Sequence, residues 1–398
     1  MYNENSDRYE AGKVVAALDK NLDPSLSLEH NIGNLLNGID YEKVEVIFHS
    51  KKNMKNSSAG DILLIYLKNK DKVAVLDAVE KLSANPYIEY AEPDYIEELH
   101  VVSNDPLFNQ LWGIKKIKTP LAWNYTTGNR SVAVGIIDSG IDNHHPDIKA
   151  NMWVSENRKI ENGWNFAEDN LNSLDTNGHG THVAGTVGAV GNNHIGITGV
   201  CWDVEVVSMK FGLDTASAIA AIDFSNYFNI PILNASWGGR RYSYALKQAI
   251  DEYDGLFIAS AGNDGTNNDL DPVYPAAYES DNIIAVAATD PEDALADFSN
   301  FGIKSVDIGA PGTNILSLGL EGEYTPKNGT SMAAPHVAGA AALLKSYYPH
   351  ISTAMMKAII LSSAEKKPEL NGKVVTGGLL DTHAMFELAR YLQQNNKL

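Results

Sequence analysis

Two rhythms of apolar and polar positions divide the chain. Over residues 12–92 the runs are short and alternate with polar residues. Strands are predicted at "KVVAALD" (13–19), "KVEVIF" (43–48), "DILLIYLK" (61–68) and "YIEYAE" (87–92). Amphipathic helices are predicted at "SLSLEHNIGNLL" (25–36) and "VAVLDAVEKL" (73–82). The resulting order, β-α-β-β-α-β, is that of a small ferredoxin-like α+β module. A polar stretch, "PDYIEELHVVSNDP" (93–106), then leads onward.

Further along, apolar residues follow one another without interruption: "SVAVGIID" (131–138), "VEVVSMKF" (204–211), "IPILNAS" (230–236), "LFIASAG" (256–262) and "NIIAVAAT" (282–289). Runs of this kind suit parallel strands covered on both faces. Helical patterns lie between several of them, notably "ASAIAAIDFSNYF" (216–228) and "SYALKQAIDEY" (243–253). The expected fold is therefore α/β, a doubly wound and mostly parallel sheet, preceded by the ferredoxin-like domain. The boundary falls near residue 100, giving domains 1–100 and 101–398. In such sheets ligands bind beyond the carboxyl ends of the strands.

Composition narrows the possibilities. A chain of 398 residues is more than one core usually serves, in keeping with two domains. The formal charge of −19 argues against nucleic acid and leaves carboxylates available for divalent cations. No apolar run reaches membrane-spanning length, so no membrane partner is expected. Cys201 is the only cysteine, which excludes an internal disulfide and a cysteine metal site. It follows the apolar-leaning "GITGV" and reads as a core residue. Residues 1–13 have neither the basic start nor the apolar stretch of a signal peptide. The expectation is either a cytoplasmic protein or one whose leader has been removed.

The polar residues with chemical potential lie where the strands end. Asp138 closes "VAVGIID", His179 and His182 open the small-residue stretch "HGTHVAGT", Asn263 follows "IASAG", and Ser331 begins the pattern "SMAAPHVAGAAALL". Singly, Asp138 and Asn263 read as turn residues and Ser331 as a helix cap. His182 does not complete the H-E-x-x-H zinc pattern and is expected in the core. Together, Ser331, His179, Asp138 and Asn263 are the parts of an acyl-transfer site. They supply a hydroxyl nucleophile, a base, a carboxylate to orient the base and an oxyanion donor.

"IIDSGID" (136–142), "HGTHVAGT" (179–186), "SAGN" (260–263) and "GTSMAAPHVAGAAAL" (329–343) resemble the signatures of subtilisin-like serine proteases. The order Asp…His…Ser also matches that family, whereas α/β-hydrolases run Ser…Asp…His around G-x-S-x-G and chymotrypsin-like enzymes run His…Asp…Ser. The resemblance covers about residues 104–398. It implies a serine endopeptidase acting on protein and peptide substrates, with Asp138, His179 and Ser331 catalytic. Asn263 and the Ser331 backbone N–H would form the oxyanion hole. "NASWGG" (234–239) resembles the segment that pairs with the substrate, which points to Ser236, Trp237, Gly238, Ala261, Gly262 and Val273 around the P1 side chain. Two departures stand out. The loop "GLDTAS" is shorter than the family's glycine-rich edge strand, and Val273 stands where relatives often carry a small residue. A shallow P1 pocket is expected from the second.

"SNDPLF" (103–108), "HHPDI" (144–148) and "GNNHIGI" (191–197) resemble the three parts of the family's tight calcium site. The implied Ca2+ ligands are the side chains of Asp105, Asp147 and Asn193 with the carbonyls of Val190, Ile195 and Ile197. The leading module resembles the family's propeptide, a chaperone and intramolecular inhibitor whose tail would occupy the active site. Self-cleavage is then expected between residues 99 and 104. The resemblance further implies a secreted monomer, with cytoplasmic or spore-associated members as the alternative. A narrow-range processing protease and a pseudoprotease used for binding remain as competing readings.

Overall fold

The computed structural model describes residues 9–19, 33, 35–50, 60–96 and 101–398. The chain divides into two compact units, Met1–Leu99 and His100–Leu398.

In the first unit four antiparallel strands, β1 (Tyr9–Leu18), β2 (Tyr41–Phe48), β3 (Ile62–Leu67) and β4 (Ile88–Tyr95), form a sheet in the order β2-β3-β1-β4. The helix Lys72–Ser83 is capped by Asp71, whose carboxylate accepts from the Ala74 N–H. It buries Val75, Ala78, Val79 and Leu82, a 3.6-period stripe that packs with Val14, Ala16, Leu63 and Ile65 of the sheet. This is the ferredoxin-like order that the pattern predicts. The helix expected over 25–36 lies mostly outside the described residues.

The second unit is built on a nine-stranded sheet. Seven of its members are β5 (Gly128–Asp138), β6 (Gly163–Asn165), β7 (Asp203–Lys210), β8 (Ile232–Ala235), β9 (Leu256–Ser260), β10 (Ile283–Thr289) and β11 (Ile308–Pro311), all parallel. A hairpin of β12 (Ile315–Leu318) and β13 (Tyr324–Lys327) stands apart from the sheet. Two short strands, β14 (Glu365–Lys366) and β15 (Gly378–Leu379), close one edge, and β14 is antiparallel. The sheet order is β14-β15-β11-β10-β9-β8-β5-β7-β6.

Every residue of β8 to β11 is buried, as uninterrupted apolar runs require. Successive side chains serve opposite faces. Val134 and Ile136 of β5 and Ile258 of β9 join the core shared with the helices His179–Gly188 and Thr330–Tyr347. Ile137, Phe257 and Ala259 join the other, against the helices Thr215–Tyr227 and Tyr244–Asp251. The strand order reverses around β5, which has β7 on one side and β8 on the other. Asp138 is the last residue of β5, so it lies at the carboxyl end of this switch point.

The helix Thr330–Tyr347 is buried without a break from residue 330 to 344. Its small residues allow close approach. A Cβ on Gly339 would stand 2.6 Å from the Val200 Cβ. Among the described residues no helix is long and apolar enough to cross a membrane.

Candidate active site

The site begins with a close approach of two glycine-bearing turns. Gly140 follows β5 with φ of 109°, and a Cβ on Gly180 would meet the Gly140 carbonyl at 2.2 Å. Only glycine therefore lets the start of the His179 helix touch the end of β5. The His179 Nδ1–H donates to Asp138 Oδ1 at 2.8 Å, because that carboxylate oxygen can only accept. Burial works against a charged His179, but the bond to Asp138 and its negative charge outweigh that effect and raise the imidazole above its usual value.

A second carboxylate braces the same corner. Asp175 accepts from the Thr181 N–H at 3.0 Å, from the Thr181 hydroxyl at 2.7 Å and from the Ser139 hydroxyl at 3.0 Å. Ser139 Oγ in turn accepts from the Gly180 N–H. Burial opposes the charge on Asp175, yet the hydrogen bonds from the Thr181 hydroxyl and from the N–H groups of Asn177 and Thr181 hold its carboxyl below the usual range.

Ser331 is the second residue of its helix and is nearly covered. Its hydroxyl donates to the Ser236 carbonyl at 3.0 Å, not to His179. The Ser236 hydroxyl returns a bond of 2.8 Å to the Ser331 carbonyl, and the Asn234 amide supports Ser236 Oγ at 2.9 Å. Pro335 explains why that carbonyl is free. A proline four residues on has no N–H to give it, so the helical bond is missing and the Ser236 hydroxyl replaces it.

Asn263 is held by its acceptor end. Its Oδ1 receives the Thr330 N–H at 2.8 Å and the Thr330 hydroxyl at 2.9 Å. Its Nδ2 lies 3.6 Å from where a Cβ on Gly329 would stand, on the approach to Ser331. Thr330 Oγ1 also accepts from the Gly262 N–H at 3.1 Å. One hydroxyl thus ties the segment carrying Asn263 to the helix carrying Ser331.

The expected P1 residues also come together. The backbones of Gly239 and Tyr274 exchange two hydrogen bonds of 2.8 Å, so segments 236–239 and 273–274 run side by side. A Cβ on Gly238 would be 2.8 Å from Val273 Cγ1, and one on Gly262 would be 3.4 Å from Val273 Cγ2. Val273 therefore fills the space between those two glycines, while Ala261 is buried behind them. Trp237 packs on Phe211 with ring centroids 4.9 Å apart. Only residues 211–214 separate β7 from the next helix, which Asp214 caps, so the loop is as short as its sequence implies. His182 and Cys201 are core residues, as expected. The His182 Nε2–H donates to the Ile315 and Thr325 carbonyls, and burial raises the Cys201 thiol.

A family model described as "Subtilase family" matches residues 129–378, well over half of the chain. The chain belongs to the subtilase family. It is 36% identical over 285 residues to "Thermophilic serine proteinase" of Bacillus sp. (strain AK1), covering 69% of this chain and 68% of that one. It is 35% identical over 326 residues to "Subtilisin NAT" of Bacillus subtilis subsp. natto, covering 79% and 80%. Among solved structures, one titled as proteases from Pseudoalteromonas arctica PAMC 21717 superposes with a TM-score of 0.64 at 26% identity, over 73% of this chain and all of that one. This subtilase is a serine endopeptidase.

The subtilase also gathers the residues expected to hold a cation. Asp105 accepts from the N–H groups of Asn192 and Asn193, and Asp147 from the Ile197 N–H and the Asn193 amide. Both carboxylates are buried, and among the described residues no Lys or Arg pairs with either. Burial, with Asp105 contributing, pushes the Asp147 carboxyl up to about 6. No N–H among the described residues donates to the Val190, Ile195 or Ile197 carbonyls. Two buried carboxylates without a cationic partner and unused backbone carbonyls fit a hard, oxygen-seeking cation, while Asn193 turns its NH2 to Asp147 and its oxygen to the Ile195 N–H. No group of three or more His, Cys, Asp or Glu converges among the described residues, so the donor set relies on amide and carbonyl oxygens.

The sequence reading missed Thr330, Ser139, Asp175 and the reciprocal Ser236–Ser331 bonds. A signal for Thr330 was present in its position between Gly329 and Ser331. Thr181, one partner of Asp175, lies six residues from it, but Ser139 lies 36 away.

Proposed function

We propose that this subtilase is a calcium-stabilised endopeptidase made as a self-processing proenzyme, with Ser331 as nucleophile, His179 as base and then acid, and Asp138 as the orienting carboxylate. The observation that carries the reading is the 2.8 Å bond from His179 Nδ1 to Asp138, which leaves Nε2 as the basic nitrogen. In this reading the Ser331 hydroxyl leaves the Ser236 carbonyl, passes its proton to Nε2 and attacks the scissile carbonyl. The Ser331 N–H, in the first helical turn and without a helical partner, and the Asn263 amide receive the oxyanion. His179 then protonates the leaving amine. Water enters by the same base to release the acyl group.

Calcium would neutralise Asp105 and Asp147 and join three segments remote in sequence. The likeness to Subtilisin NAT covers 79% of the chain, more than His100–Leu398 alone makes up, so it reaches into the first unit. That reach supports residues 1–100 as a propeptide that inhibits the enzyme, cleaved between 99 and 104. The enzyme is read as secreted and monomeric.

Incubation of the full chain with calcium tests the proposal. A cut at 99–104 is expected, and it disappears in Ser331→Ala. An intact chain that also ignores a serine-directed inhibitor would point to a pseudoprotease. The short 211–214 connection, which offers the substrate no long edge strand, favours a second reading as a narrow-range processor. Digestion of casein would count against it. Because Val273 fills the space between Gly238 and Gly262, peptides with P1 Ala are expected to outperform those with P1 Phe. Equal cleavage of the two would dismiss the shallow pocket.

A further inference from the structure

Arg240 stands directly after the wall segment 236–239, where no expectation placed a functional residue. Its Nη2 pairs with Asp264 at 3.0 Å, and its Nη1 pairs with Asp271. Asp264 follows Asn263, and Asp271 precedes Val273 by two residues. One guanidinium therefore joins all three segments that converge on Val273: the Gly238–Gly239 wall, the Gly262–Asn263 wall and the segment that carries Val273 itself. Among the described residues neither Asp264 nor Asp271 has another cationic partner. All three side chains are about half exposed, so the pairs can be opened and remade in water.

Two carboxylates at the rim of a pocket attract a cationic side chain. A guanidinium with five donors in a fixed fork can satisfy both carboxylates together and leave little negative potential for a third group. A lysine or arginine at P1 must then compete with a cation already in place.

We propose that Arg240 is a specificity-determining residue that discriminates against a basic P1 side chain by occupying Asp264 and Asp271. The inference rests on the P1 assignment made above. Its electrostatic origin separates it from the shallow pocket set by Val273, which acts through volume.

The test uses enzyme made from the full chain and peptide anilides that differ only at P1, carrying Lys or Leu. The pairs are exposed and individually weak, so Arg240→Gln is expected to raise the Lys:Leu ratio of kcat/KM roughly five- to tenfold. Arg240→Lys keeps the charge and should hold the ratio within about twofold of the parent. Adding Asp264→Asn and Asp271→Asn to Arg240→Gln should return the ratio to the parent value, which loss of a structural brace would not do. High salt should shrink the Arg240→Gln effect. An unchanged ratio in Arg240→Gln, or an equal rise in Arg240→Lys, overturns the proposal. Val273→Gly is measured in parallel with P1 Ala and Phe. If it moves that series while Arg240→Gln leaves Lys:Leu unmoved, Arg240 alone loses its role. If Val273→Gly also changes nothing, the pocket lies elsewhere and both readings fall.

Discussion

Asn263 is useful only if its amide points at the reacting carbonyl, and Thr330 decides that. With Oδ1 engaged twice by Thr330, the Nδ2 donors have one direction left. Asn263→Ala is expected to lower kcat about 10²–10³-fold with little change in KM, since the lost donor acts on the transition state. Thr330→Val keeps the backbone bond and removes the hydroxyl. A fall in kcat of about tenfold is expected from the loosened amide, measured with the same peptide series. Asp138→Asn tests the electrostatics of the base. Asp138 raises the His179 imidazole, so the neutral base accumulates only at higher pH. Removing the charge should move the acid limb of kcat/KM to lower pH while kcat falls about 10⁴-fold. An acid limb that stays in place would show that another group titrates there. The proposed triad residues stand out in the sequence because each sits in its own short motif at a strand end or helix start. Thr330, Ser139 and Asp175 do not, because their side chains resemble ordinary cap residues until the fold supplies their partners.

The strands β5, β7, β8, β9 and β10 were readable because burial on both faces leaves an unbroken apolar run. β6, β14 and β15 have two or three residues each, too few to show any period. The hairpin β12–β13 reads "ILSL" and "YTPK", and its second strand contains a proline that mutes the signal. That hairpin matters because it buries His182, whose Nε2–H bonds to Ile315 and Thr325. Burial depresses His182 to about 3, and His336, enclosed in the Thr330–Tyr347 helix, to about 4. In the unfolded chain both would protonate near 6.5, so their neutrality supports the fold fully above that value. The support is lost as pH falls through 6.5 toward 4 and 3. Urea unfolding between pH 7 and 4 should show stability falling by up to about 1.4 kcal/mol per pH unit for each histidine. A flat profile over that window would show that neither histidine is neutral in the fold.

At the scale of the whole molecule, residues far apart in sequence are fastened by charge. Lys116 and Lys367 both pair with Asp293, Lys367 and Lys118 share Glu365, and Lys118 reaches Asp381, with separations of 2.6 to 3.0 Å. The chain of pairs links the start of the second unit to its last strands and final helix. Apart from Lys367–Glu365, these pairings are invisible in a one-dimensional pattern, because their partners lie up to 263 residues apart. The cation cluster has the same character, drawing on residues 105, 147 and 190–197. If calcium binds there, chelation should lower the melting temperature, and Asp147→Asn should shrink the difference between calcium and chelator. A melting temperature indifferent to chelator in the parent chain would remove calcium from the account.

The helix that begins at Ser331 lies against β5, β8, β9, β10 and β11 and is covered for its first fifteen residues. The proposed nucleophile thus sits on the central pillar of the core, and that pillar is made late, after all five of those strands have been synthesised. A ribosome-bound chain that has reached β11 holds Asp138, His179 and Asn263 but lacks the hydroxyl proposed to attack a peptide bond. The proposed attacking hydroxyl and the helix that covers these five strands therefore arrive together, and local unfolding that displaces this helix withdraws both.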